Sequence, residues 1–182
     1  MGGMTAIADR YRTLADAFQD KVAAVSPDDW SNQSPCDEWT ARQLVDHVVD
    51  VHGMMLKPLD RTLSDRPDDP LGAFQSARAD LEAVLDDPAL AGTEYDGQFG
   101  TTKVENTIDQ FMGFDLVVHG WDLARGTGQD DTIDPRDVTQ IQTQVDAMGD
   151  VMRSNGVIAD PVEPPPDASA QDRLLASLGR RP

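Results

Sequence analysis

Val104-Glu105-Asn106-Thr107-Ile108-Asp109-Gln110-Phe111-Met112-Gly113-Phe114-Asp115-Leu116-Val117-Val118-His119-Gly120-Trp121-Asp122 decides how this chain folds. Val104, Ile108, Phe111, Asp115 and Val118 recur at intervals of three and four residues, the period of a helix that buries one face. A carboxylate therefore lies on the apolar line, with His119 and Asp122 beside it. Such a group costs roughly several kcal/mol unless something pairs with it. Residues four apart share a helix face about one 5.4 Å turn from each other, so Asp115 and His119 converge on one point. Two readings are open from the residues alone: a buried ion pair, or two ligands of a metal ion.

Outward from this segment the chain is predicted to be helical almost throughout. Ile7, Tyr11, Leu14, Phe18, Val22 and Val25 form the stripe of a first helix over residues 5–25, ended by Ser26-Pro27-Asp28-Asp29. After a connector over 30–39, Thr40-Ala41-Arg42-Gln43 is a capping-box pattern that starts a second helix. Leu44, Val48, Val51, Met55 and Leu59 are its stripe; His47 falls on the inner face, His52 on the flank, and Asp46 and Asp50 point away. A third helix is expected over 71–85. Residues 89–101 are Gly-rich and extended at best, with room for one short hairpin. Thr102-Lys103-Val104-Glu105 reads as a second capping box, and Gly126-Thr127-Gly128 as the terminator of the helix it opens. Asp134-Pro135 caps a fifth helix carrying Val138, Ile141, Val145, Met148 and Met152, closed by Asn155-Gly156. Pro161 and the run Pro164-Pro165-Pro166 precede a short helix signal over 169–178. Five helices with little strand predict an all-α bundle. We read it as a single domain over 1–182, with residues 158–182 a proline-rich tail strapped onto the bundle.

Composition limits the function classes. The 33 acids against 15 bases give a formal charge of −18, which opposes association with nucleic-acid phosphates and anionic membrane surfaces. No run reaches transmembrane length, and residues 1–10 lack the basic-then-apolar order of a signal peptide. The lone cysteine, Cys36, excludes an internal disulfide framework and fits a reducing compartment, so a cytoplasmic location is expected.

Bundles build metal centres from side chains on facing helices. His47 on the second helix adds a third donor to Asp115 and His119. Zinc accepts nitrogen and oxygen ligands, and catalytic sites keep three protein ligands with a fourth position open. Two neutral imidazoles and one carboxylate would leave a divalent ion at +1, attractive to a thiolate. Against this stands the ordinary role of a histidine on an apolar face, a hydrogen-bonded core residue. Asp122 is placed to orient a ligand, to cap backbone or to pair with Arg125. Cys36 is expected to be structural, since Asp37 and Glu38 disfavour its thiolate. Trp39 and Trp121 are expected to pack on the bundle, with a pocket edge as the alternative for Trp121 through its nearness to His119.

Ser34-Pro35-Cys36-Asp37-Glu38-Trp39-Thr40, leading into Leu44-Val45-Asp46-His47, resembles the entry to the metal-bearing helix of DinB/YfiT-like proteins. Phe114-Asp115-Leu116-Val117-Val118-His119-Gly120-Trp121-Asp122-Leu123-Ala124 is similar to the second signature of their actinobacterial branch. That branch includes the metal-binding domain of mycothiol-dependent maleylpyruvate isomerase. The resemblance implies a four-helix bundle core with one additional helix, holding a divalent metal, zinc or nickel. It implies His47, Asp115 and His119 as the ligands, with Asp115 where the isomerase has Glu. One methylene fewer implies either a closer approach of the helices or a weaker site. The isomerase also carries a further C-terminal domain contributing to its active site, for which no counterpart is expected here. The expected function is therefore thiol chemistry of that kind, a mycothiol-dependent transferase or isomerase acting on small electrophiles, rather than maleylpyruvate isomerisation itself. The alternatives are a non-catalytic metal or small-ligand sensor, and a structural bundle with a vestigial site. The partners implied are a small-molecule thiol and an electrophile, without nucleic acid or membrane; monomer and homodimer are both open.

Overall fold

Four long helices build the core, and two of them, over Ala41–Leu56 and Pro70–Asp86, begin at a side-chain cap. The computed structural model describes residues 2–98 and 100–182; Met1, and Phe99 within the expected hairpin, lie outside the described residues. The chain divides into two compact units, residues 1–130 and 131–182.

In the first unit, α1 (Gly2–Ala23), α2 (Ala41–Leu56), α3 (Pro70–Asp86) and α5 (Val104–Thr127) form the bundle. A single turn, α4 (Pro88–Ala91), follows α3. α1 packs on α3 and α5, and α2 packs on the same two, so α1 and α2 occupy opposite corners. This is the mostly helical DinB-like architecture. The Thr40 box forms as expected: its side chain accepts from the Gln43 amide, and the Gln43 side chain accepts from the Thr40 amide. Asp69 caps α3 from its side chain, and α5 ends on Gly128 in the left-handed region (φ 69°).

The start of α5 differs from expectation. Thr102 belongs to a strand, β2 (Gly100–Lys103), paired antiparallel with β1 (Glu94–Gly97) so that Thr102 faces Tyr95. Lys103 is the N-cap and makes no side-chain cap bond. Ladder pairing claims the backbone that the box would have needed. The sequence leaves room for one short hairpin over 89–101; the one that forms runs on to Lys103 and delivers the chain directly into α5.

His52 is also placed differently. It is fully buried (0% exposed), not on the flank. α2 packs against two helices, so its buried arc is wider than one stripe. Nδ1 of His52 donates to the Val48 carbonyl (2.8 Å), and Nε2 accepts from the Tyr11 hydroxyl (2.9 Å). The Phe74 ring stands edge-on, its centroid 5.4 Å from the imidazole. Burial pushes the Tyr11 phenol up, keeping its donor proton, and depresses the His52 pKa from 6.5 to about 4.

A histidine depressed in the folded state contributes stability present above its unfolded pKa and lost as pH falls towards its folded one. Between pH 6.5 and 4 the loss from His52 should reach about 3 kcal/mol. Urea unfolding across that range checks it: His52→Gln should show a shallower acid decline than the parent, and parallel declines would refute the assignment.

Across the surface of this unit Arg10 pairs with Asp109 (2.8 Å), joining α1 to α5, and Arg78 pairs with Asp16 (2.7 Å), joining α3 to α1. These pairs are still partly open to solvent, which screens them, so the bundle rests on its core.

The second unit contains α6 (Pro135–Ser154) and α7 (Ala170–Ser177), packed on each other. Asp134 caps α6, and Ser169 opens α7 with a complete capping box. The Gln171 side chain ties the start of this unit to α7, accepting from the Ile133 amide (2.8 Å) and donating to the Asp131 carbonyl (3.0 Å). No helix among the described residues is long and apolar enough to cross a membrane.

Candidate metal centre

α5 is buried over an unbroken run from Leu116 to Ala124, so residues on every side of it enter the interior. His119 (7% exposed) and Asp122 (0%) lie within that run, and Asp115 sits just before it, partly exposed. His47 reaches the same place from α2. Each of His47, Asp115 and His119 offers a ligand atom, and these atoms lie within 4.8 Å of one another. The shorter side chain at 115 thus still reaches the group.

His119 organises the cluster. Its Nε2 lies 3.5 Å from Asp115 Oδ1, and its Nδ1 lies 2.9 Å from Asp122 Oδ2. Burial opposes a charged imidazole here, but Asp115 and Asp122, helped by Cys36, outweigh it and push His119 up to about 10. The His47 pKa is lowered, first by burial and further by the His119 charge, with Asp115 opposing. A divalent ion entering the group would replace the proton on the Nε2 side, as metal binding to histidine generally does. Two imidazole nitrogens and a carboxylate oxygen are a donor set suited to zinc or nickel, so the residues present fit such an ion.

The connector before α2 supplies the remaining wall. The Ser34 hydroxyl donates to the Trp39 carbonyl (2.7 Å) and accepts from the Cys36 amide (3.2 Å), closing the loop on itself. The Asn32 side chain donates to the Gly126 carbonyl (3.2 Å). A Cβ at Gly126 would stand 3.3 Å from the Gln33 carbonyl oxygen and from Ser34 Cα, so glycine lets the loop seat closely on α5.

Two side chains reach the cluster from this loop. Trp39 stacks on His47 (centroids 4.3 Å, 25° between planes) and meets His119 edge-on at 5.8 Å. Cys36 Sγ donates to Asp122 Oδ2 at 3.3 Å. Cys36, His119 and Asp122 form a second group with ligand atoms within 4.8 Å, but its members already bond one another.

Trp121 packs in the bundle as expected, buried in α5 with the Arg125 guanidinium over its ring (5.7 Å), and Trp39 is the tryptophan at the site. The stretch from Ser34 to Thr40, singled out for its resemblance, contains both loop residues.

Comparison with known proteins follows the same segments. The family model described as the mycothiol maleylpyruvate isomerase N-terminal domain matches residues 11–124, which include α2 and most of α5. Two uncharacterised proteins from two strains of Mycobacterium tuberculosis are each 30% identical over 179 residues, covering 93% of this chain and 95% of the relative. No solved structure matches the chain.

Proposed function

Because the chain belongs to the mycothiol maleylpyruvate isomerase N-terminal domain family, we propose that it binds a divalent metal through His47, Asp115 and His119 and uses a low-molecular-weight thiol, mycothiol, to act on small electrophiles. The observation that carries the proposal is the convergence of those three ligand atoms within 4.8 Å, two from one face of α5 and one from α2. A bound ion of this type supplies Lewis acidity that lowers the pKa of a coordinated thiol.

The chain's own residues account for the rest. Once the His119 proton is displaced by an ion, His47 and His119 would be neutral nitrogen donors and Asp115 would bring a single negative charge. That leaves a divalent ion at +1, a charge that favours an anionic sulfur as the added ligand. Trp39 backs the His47 ring and limits how it can turn. The aromatic face and the loop closed by Ser34 shape the wall beside the site. The reaction class is transfer or isomerisation started by thiolate addition.

Incubating zinc- and nickel-loaded protein with mycothiol and a panel of small electrophiles should consume thiol faster than the chelator-treated control. Equal rates would sink the catalytic reading. A structural reading has one observation of its own: His119 is already paired with two carboxylates. Thermal melts unchanged both by chelator and by His47→Ala would favour it.

A further inference from the structure

We infer that Asp122 is the positioning residue of this centre: it grips His119 by Nδ1, so that Nε2 is the nitrogen turned to His47 and Asp115, and the Cys36 thiol secures the carboxylate. The inference rests on the metal-centre reading above and adds to it the residues that aim one ligand. Asp122 has no exposed area, and a carboxylate in that position must be hydrogen-bonded. Its Oδ2 receives two donors, Nδ1 of His119 at 2.9 Å and Sγ of Cys36 at 3.3 Å.

The two nitrogens of His119 are therefore unequal. One is held at hydrogen-bonding distance by a buried carboxylate; the other stands 3.5 Å from Asp115, beyond a good hydrogen bond and beside the His47 ring (centroids 5.1 Å). A ligating histidine characteristically donates its other N–H to a carboxylate, which fixes both tautomer and ring orientation. The i, i+3 spacing on α5 puts Asp122 one turn beyond His119, on the side away from Asp115. Cys36 comes from a loop pinned by Ser34 and seated on Gly126, and its thiol ties the carboxylate to that loop.

Zinc affinity, measured by competition with a chromophoric chelator, tests the inference, together with long-range nitrogen-15 NMR of the His119 nitrogens in the zinc-loaded protein. In the parent, zinc should sit on Nε2 with the proton on Nδ1. Asp122→Asn should weaken zinc about 10- to 100-fold. Cys36→Ala should weaken it less, and Cys36→Ser, which keeps an O–H donor, should restore the parent value. The cysteine pair decides the matter if Asp122→Asn does not fold by circular dichroism. Zinc on Nδ1 would overturn the inference. So would parental affinity in Asp122→Asn, or in Cys36→Ala where that variant must decide. A parent that takes up no zinc removes the metal-centre reading itself, a result distinct from a zinc-binding parent with unaffected variants.

Discussion

Replacing His119 with alanine is expected to lower bound zinc from about one equivalent per chain to less than about a tenth. Inductively coupled plasma mass spectrometry on protein purified without chelator or affinity nickel would measure it. The expectation follows from the position of His119 at the centre of the cluster. It offers one nitrogen to the group containing His47 and Asp115 and bonds Asp122 with the other. Its removal leaves two donors from different helices, short of the three that hold an open zinc site. It also strips Asp122, which has no exposed area, of a charged partner. Breaking a buried pair from one side costs about 3–5 kcal/mol, so the variant should also melt earlier. A parent that stays empty after incubation with zinc, nickel and manganese would end the metal reading and leave the ion pair as the purpose of the cluster.

Phe74→Ala should cost about 3–5 kcal/mol in urea unfolding. Phe74 is fully buried on α3, and its ring packs against Phe18 of α1 with centroids 4.9 Å apart. Few aromatics contribute to this core, so truncation leaves a cavity that aliphatic neighbours fill incompletely. The cavity would open beside His52, whose imidazole is 5.4 Å from the lost ring. Water entering there would relieve the burial that depresses His52, and its pKa should move back from about 4 towards 6.5. A loss under about 1 kcal/mol would show that the core repacks at this point.

Most of the architecture is legible in the sequence because helix signals are local. The Thr40 capping box, the Gly128 terminator and the stripe around Leu44 and Val48 each depend on residues within a turn or two of one another. The convergence of Asp115 and His119 is legible for the same reason, and His47 for its place on an inner face. The misreadings have a common physical origin in contacts from elsewhere in the chain. His52 reads as flank if α2 has one buried face, but α2 packs on both α3 and α5. Asp122 stays open among three roles in the sequence because nothing nearby shows that Cys36, 86 residues away, donates to it. Thr102 carries a sound capping pattern that pairing with Tyr95 overrides. Trp39 is expected only to pack, since a loop residue has no periodicity to show which helix it will meet.

The bond between Tyr11 and His52 reaches across the bundle, from one corner helix to the opposite one. Apolar stripes tolerate sliding, because one aliphatic contact substitutes for another at little cost. A polar pair does not. If α1 shifted by one turn, about 5.4 Å, against α2, a hydroxyl and an imidazole nitrogen would be stranded in hydrocarbon, at roughly several kcal/mol. The pair therefore acts as a registration pin: it makes misaligned bundles uphill and leaves the chain one alignment of its helices.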